Sequence, residues 1–177
     1  DEVEEEADAE SGRRPGSGSK SDLDLANLYS NDGLLGDSDS NLIPDRLDVV
    51  LSPAAGTSRR LVDVAARLGL ESTGVTIPIA IPAEDLEDPA ELPTLVLVGR
   101  DHPVVGELLE EETLSLPDLD PGEGLLQIVP EAFGEGPALV ILGADPAGED
   151  RALEQLAERL PHIWERGKDR TTLEDVS

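Results

Sequence analysis

Residues 138–160 read ALVILGADPAGEDRALEQLAERL. The first six are apolar on every position and end in a glycine. A strand without polar alternation has to be covered on both sides, as in the parallel sheets of α/β proteins. Asp145 and Pro146 then supply an N-cap and a first helical residue. Ala152, Leu153, Leu156, Ala157 and Leu160 recur at helical spacing and predict a helix with one apolar stripe, closed by Pro161. Upstream, TLVLVG at 94–99 is a second uniformly apolar segment ending in glycine. Pro103 follows closely and starts a short helix carrying Val104, Val105, Leu108 and Leu109.

The remaining elements fit around this pair. LDVVLS at 47–52 reads as a strand. Thr57 or Ser58 caps a helix with Leu61, Val62, Ala65 and Leu68 on one stripe, ended by Gly69. GVTIPIAI at 74–81 reads as another strand, held to an edge or a bulge by Pro78. GLLQIV at 124–129 is a further strand, and the connection PEAFGEGP is too short for a helix, which leaves room for an antiparallel hairpin at one edge. Strands therefore alternate with helices. The expected fold is a layered α/β domain with a mostly parallel five-stranded sheet and helices on both faces.

Composition narrows the function classes. The chain has 177 residues and a formal net charge of -27, from 40 acids against 13 bases. Such a field repels nucleic acid and anionic lipid. Cysteine is absent, which excludes disulfides, zinc-thiolate sites and a cysteine nucleophile. No apolar run approaches the roughly 20 residues of a membrane span. All but two of the bases, Lys20 and Lys168, are arginine. An acid-rich, lysine-poor surface points to a halophilic host, where salt screens self-repulsion, or to a high-GC genome.

Residues 1–22 are acidic and then Gly/Ser-rich, with Val3 the one branched apolar residue, so they read as a disordered tail or linker. Residues 23–170 form a single α/β domain, and 171–177 a tail or the start of a next domain. The sequence does not begin with methionine and carries no signal peptide, which reads as a processed chain. Ile163 and Trp164 are expected to cover the end of the core or to join a next domain.

Three segments carry candidate chemistry. In GDSDSNLIPDRLD, residues 36–48, the oxygen side chains Asp37, Asp39 and Asn41 fall at loop positions one, three and five, with Asp45 at nine and Asp48 at twelve. That spacing suits a hard cation such as calcium, with a carbonyl near Ile43 completing the shell. Leu42 stands where an EF-hand has glycine, and Asp48 where it has glutamate. The loop resembles the D-x-D-x-N/D-x-x-P-D calcium loops of thrombospondin-type-3-like repeats, which usually occur in tandem; here there is one copy. The competing reading is a solvated acidic turn. The second segment set is the rim at the carboxyl ends of the strands, where open α/β sheets bind ligands. Thr57, Ser58 and Arg59 at one helix start, with Arg100, Asp101, His102 and Asp145, are candidates for holding a small anion. The competing reading is that Thr57 and Asp145 are helix caps. Neither a GxxxxGK[ST] nor a strand-borne GxGxxG motif is present. Third, His102 beside Asp101 has the makings of a general base, but no serine elbow supplies a nucleophile.

Residues 94–160, from TLVLVGRDHPVVGELL through GEGLLQIVPEAFGEGPALVILGADPAG, resemble a recurrent extracellular α/β module. The segment looks like the flavodoxin-like domains of the bacterial cellulose-synthase periplasmic subunit. It is also similar to the non-catalytic N-terminal domains of α-glucuronidases and β-hexosaminidases. The resemblance implies an accessory or scaffold role beside other domains or subunits, without active-site residues of its own. The expected function is thus a non-catalytic module of a larger secreted or periplasmic protein, linked to polysaccharide handling and steadied by calcium. The alternatives are an enzyme domain or subunit that binds a small anionic ligand at the strand ends, and a structural subunit of an extracellular assembly.

Overall fold

The computed structural model describes residues 23–134 and 136–160. The acidic tail 1–22, the closing Pro161, the Ile163–Trp164 pair and the tail 171–177 lie outside the described residues.

The chain is mixed α/β. A short hairpin-like pair, β1 (Leu35–Gly36) and β2 (Arg46–Leu47), is antiparallel and brackets the acidic loop. The main sheet has four strands: β3 (Val49–Pro53), β4 (Thr94–Val98), β5 (Gly124–Phe133) and β6 (Gly136–Gly143), in the order β3-β4-β6-β5. β3, β4 and β6 run parallel, and β5 pairs antiparallel with β6 at the far edge. The helices are α1 (Leu61–Glu71), α2 (Pro103–Glu110) and α3 (Pro146–Glu154), and α3 continues into a π turn, Gln155–Arg159.

The apolar runs are explained by where alternate residues go. Val49, Leu51, Val96, Val98, Leu139 and Ile141 enter one cluster, with Val64 and Leu68 of α1 and Leu153 of α3. Their neighbours Val50, Leu95, Leu97, Ala138, Val140 and Leu142 enter a second cluster, with Val104, Val105 and Leu108 of α2. Successive strand side chains point to opposite sides. Both sides here are filled, so both parities are mainly apolar, and the buried polar residues of these strands are Ser52 and Thr94. Burying each of the Val, Leu and Ile side chains contributes about 1.5–3 kcal/mol.

The antiparallel edge hairpin expected between the last two strands is present, and β5 runs four residues longer than its apolar core, with a register irregularity between Val129 and Phe133. The five-stranded expectation is corrected to four. Residues 74–81 contribute one parallel bridge, Ala80 to Leu51, flanked by Leu51 N–H to Ile79 and Ile81 N–H to Leu51 bonds of 2.9 Å. Pro78 has no N–H for a ladder, and the residues before it are drawn toward the other sheet. Thr73 donates to the Pro44 carbonyl, and Leu47 N–H donates to Thr76 Oγ1. The segment does lie at an edge, as Pro78 required. The strand expected over 47–52 is split: Leu47 pairs in the small sheet, and the main-sheet strand starts at Val49.

α1 keeps three of its four expected stripe residues, with Leu68 buried and Leu61 and Ala65 packed against the core, and departs from the stripe at Val62. Val62 is 69% exposed, and the buried positions are Val64, Arg67, Leu68 and Glu71. Nor does Gly69 end the helix, which continues to Glu71. Two polar residues enter the interior because they satisfy each other and the end of α3. Arg67 Nε donates to Glu71 Oε1 at 3.3 Å, and its terminal nitrogens donate to the carbonyls of Leu156, Ala157 and Leu160. Its guanidinium carbon lies 3.8 Å from the centroid of the Tyr29 ring, and Tyr29 Oη donates to Leu156 O at 2.8 Å. The last carbonyls of a helix lack intrahelical partners, and here an arginine and a tyrosine serve them. Burial raises the Tyr29 phenol above its ordinary value, against the opposing effect of Arg67.

Candidate functional site

The carboxyl ends of β3, β4 and β6 open into a cleft of about 500 Å³. Two glycines shape its floor. Gly99, just past β4, has φ +103°, a conformation that suits glycine. At Gly143, the end of β6, a side chain would run into the backbone of Asp145 and Glu149. The strands can therefore deliver their loops close together, with small residues such as Ala54 and Ala144 on the walls.

Of the rim residues proposed from sequence, Thr57, Ser58, Arg100, Asp101 and Asp145 line this cleft. Arg59 is exposed and outside the lining, and His102 is 1% exposed beneath the surface. His102 is the N-cap of α2: its Nδ1 accepts from Val104 N–H at 3.2 Å. Nε2 therefore carries the proton and faces Ser52 Oγ at 3.0 Å, another fully buried group. Burial lowers the imidazole pKa below its ordinary value. Both ring nitrogens are engaged inside the fold, and the side chain is turned away from the cleft that contains its neighbour Asp101.

Asp145 caps α3 as expected, accepting from Gly148 N–H, and its other oxygen accepts from Gly122 N–H, both at 2.9 Å. The bond from Gly148, followed by those from Gly122 and Ala147, outweighs desolvation and holds its carboxyl below the ordinary value. Thr57 is no cap: its hydroxyl donates to Val98 O at 3.4 Å. Ser58 Oγ accepts from Arg60 N–H at 3.1 Å and also bonds Asp150, while Ser58 N–H donates to Glu149 Oε1 at 2.9 Å. Sequence reading missed Glu149 and Asp150. Their signal was present, since both fall in the first turn of a helix that starts at a strand end, beside Asp145.

The acidic loop brings together three of its five proposed ligands. Asp37, Asp39 and Asp45 each place an oxygen within 4.8 Å of the others. Asn41 and Asp48 are engaged otherwise. Asn41 donates from Nδ2 to Asp39 at 3.0 Å and accepts Ile43 N–H at 2.8 Å, and Asp48 pairs with Arg46 at 2.8 Å. The loop's own donors serve the three carboxylates. Asp37 accepts the N–H groups of Asp39, Asn41 and Leu42, and Asp45 accepts Ser38 through both its amide and its hydroxyl. The Ser38 bonds hold Asp45 below its ordinary pKa. Leu42, at the position of the EF-hand glycine, has φ +71°.

No family model and no curated protein matches the chain. Among the described residues, no helix is long and apolar enough to cross a membrane.

Proposed function

We propose that the chain is a non-catalytic α/β accessory or scaffold module of a larger exported protein, working beside domains that handle polysaccharide. The observation that carries this reading is His102. The titratable base nearest the strand ends is buried, caps α2 through Nδ1 and bonds Ser52 through Nε2. Spent in this way, it orders a helix start instead of moving a proton for a substrate. Asp145 and Ser58 are likewise engaged in joining loops to helices. The two apolar clusters support a layered sheet with helices on both faces, which fits the flavodoxin-like resemblance, and that resemblance is what implies a secreted or periplasmic setting. Calcium held by Asp37, Asp39 and Asp45 would steady the β1–β2 loop. The purified chain is expected to turn over no glycan or ester. A hydrolytic rate that disappears in His102→Ala, while the variant keeps its fold by circular dichroism, would overturn the reading.

A second reading is favoured by the cleft itself, which lies where open α/β sheets bind ligands. In this reading the module, or an enzyme domain or subunit of which it is part, holds a small molecule between the β3, β4 and β6 loops.

A further inference from the structure

We propose that the strand-end cleft binds a small organic cation bearing several N–H donors, such as a guanidinium or ammonium compound. The proposal rests on the second reading above and reverses the charge of the ligand expected from sequence.

Donor accounting carries the argument. Helix starts at strand ends hold anions when their N–H groups are free. Here those groups are already bonded. At the start of α1, the amides of Thr57, Ser58 and Arg60 donate to Ala54 O, Glu149 Oε1 and Ser58 Oγ. At the start of α3, those of Gly148 and Glu149 donate to the side chain and carbonyl of Asp145. Between them, Gly99 N–H donates to Ile141 O. To use these amides, an incoming phosphate or carboxylate would have to break bonds the fold uses.

Acceptors remain. Glu149 spends Oε1 on Ser58, while Oε2 lies 3.8 Å from the point where a Gly99 side chain would begin, and Thr57 Oγ1 lies 3.3 Å from the same point. Two polar oxygens thus converge at the Gly99 turn, beside the Ala54 methyl, which lies 2.9 Å from the same point. Charge has the same sense: Asp101, Asp145, Glu149 and Asp150 line the cleft against the single guanidinium of Arg100. Low-dielectric walls focus such a field on a ligand of opposite sign. Among the described residues, the carboxylates close enough to share one metal ion are those of Asp37, Asp39 and Asp45. No three of the cleft acids come that close together, and their separated acceptors suit an extended organic cation with separated donors.

The test is an amide chemical-shift titration of the whole chain with argininamide, phosphate and glucose as separate probes. It is run at about 0.5 M sodium chloride, where the screening length falls to about 4 Å and general attraction to an acidic surface is suppressed. Argininamide is expected to give saturable shifts at Gly56, Thr57, Gly99 and Gly143. Its affinity should fall at least tenfold in Glu149→Gln, which keeps an acceptor for the Ser58 amide, and stay unchanged in Glu110→Gln, outside the cleft. Ala147→Arg, which places a tethered guanidinium at the rim, should abolish binding. Unsaturable shifts spread over the acidic surface, or equal losses in both glutamine variants, would overturn the proposal. Saturation of the same amides by phosphate or glucose while argininamide is silent would overturn the cationic class and leave the ligand cleft standing. If no probe moves these amides, both fall.

Discussion

The two ends of α1 use arginine in opposite ways. At its start, Arg60 has a side chain 39% exposed and faces Asp63, Glu154 and Glu158 at 3.5–3.9 Å. Near its end, Arg67 is 5% exposed, pairs with Glu71, covers the Tyr29 ring and donates to three carbonyls of the α3 extension. The first arginine moderates a local excess of acid in water. The second joins three separate parts of the chain, because its planar fork of donors meets carbonyls that no backbone group can serve. Burial, and the number of donors with a fixed acceptor, separates cohesion from charge balance.

The largest expected effect tests the buried end. Arg67→Leu should cost about 3–5 kcal/mol in chemical denaturation, since it leaves the Glu71 carboxylate and the helix-end carbonyls inside without their cation. Adding Glu71→Leu should recover much of that loss, because two apolar side chains can share the space that the ion pair filled. A double variant no more stable than the single one would show that the pair is not the reason for the burial.

A smaller effect belongs to His102, which sits under the cleft near the other end. Its pKa is depressed in the fold, so the unfolded chain takes up the proton first as pH falls. Stability from this group is therefore present above the unfolded value of about 6.5 and drains as pH drops from there toward the folded value. Thermal melts between pH 7.5 and 5.5 should show this loss. His102→Asn, which retains a cap acceptor for Val104 N–H, should flatten the profile over that range; an unchanged slope would remove His102 as the source.

The smallest effect belongs to the exposed arginine. Arg60→Ala should change stability by about 0–1 kcal/mol at low salt, and the difference should vanish at about 1 M salt, where surface pairs are screened. A cost comparable with that of Arg67→Leu would erase the contrast between the two ends.

Much of the architecture was legible because it follows from local pattern. Residues 95–98 and 138–143 are apolar at every position, the pattern of a strand covered on both sides. Asp145–Pro146 marks a helix start whatever surrounds it. The misreadings came where local pattern and long-range partners disagree. GVTIPIAI has the composition of a strand, but Thr73, Gly74 and Thr76 are engaged with residues 44–47, and Pro78 breaks what remains of the ladder. In the candidate site, the cap at Asp145 and the convergence of the rim loops could be read directly. That Glu149 would fill the Ser58 amide, 91 residues away, could not.

From sequence alone came the α/β class, the apolar strands, the edge hairpin and the position of the rim, because these depend on the period and polarity of neighbouring residues. The four-strand count, the inward turn of Arg67 and Glu71, the burial of His102 and the acceptor-rich character of the cleft emerge only in the folded chain. A polar side chain is buried or free according to the partners it meets, and decisive ones lie far along the chain: Ser52 is 50 residues from His102, and Leu160 is 93 from Arg67.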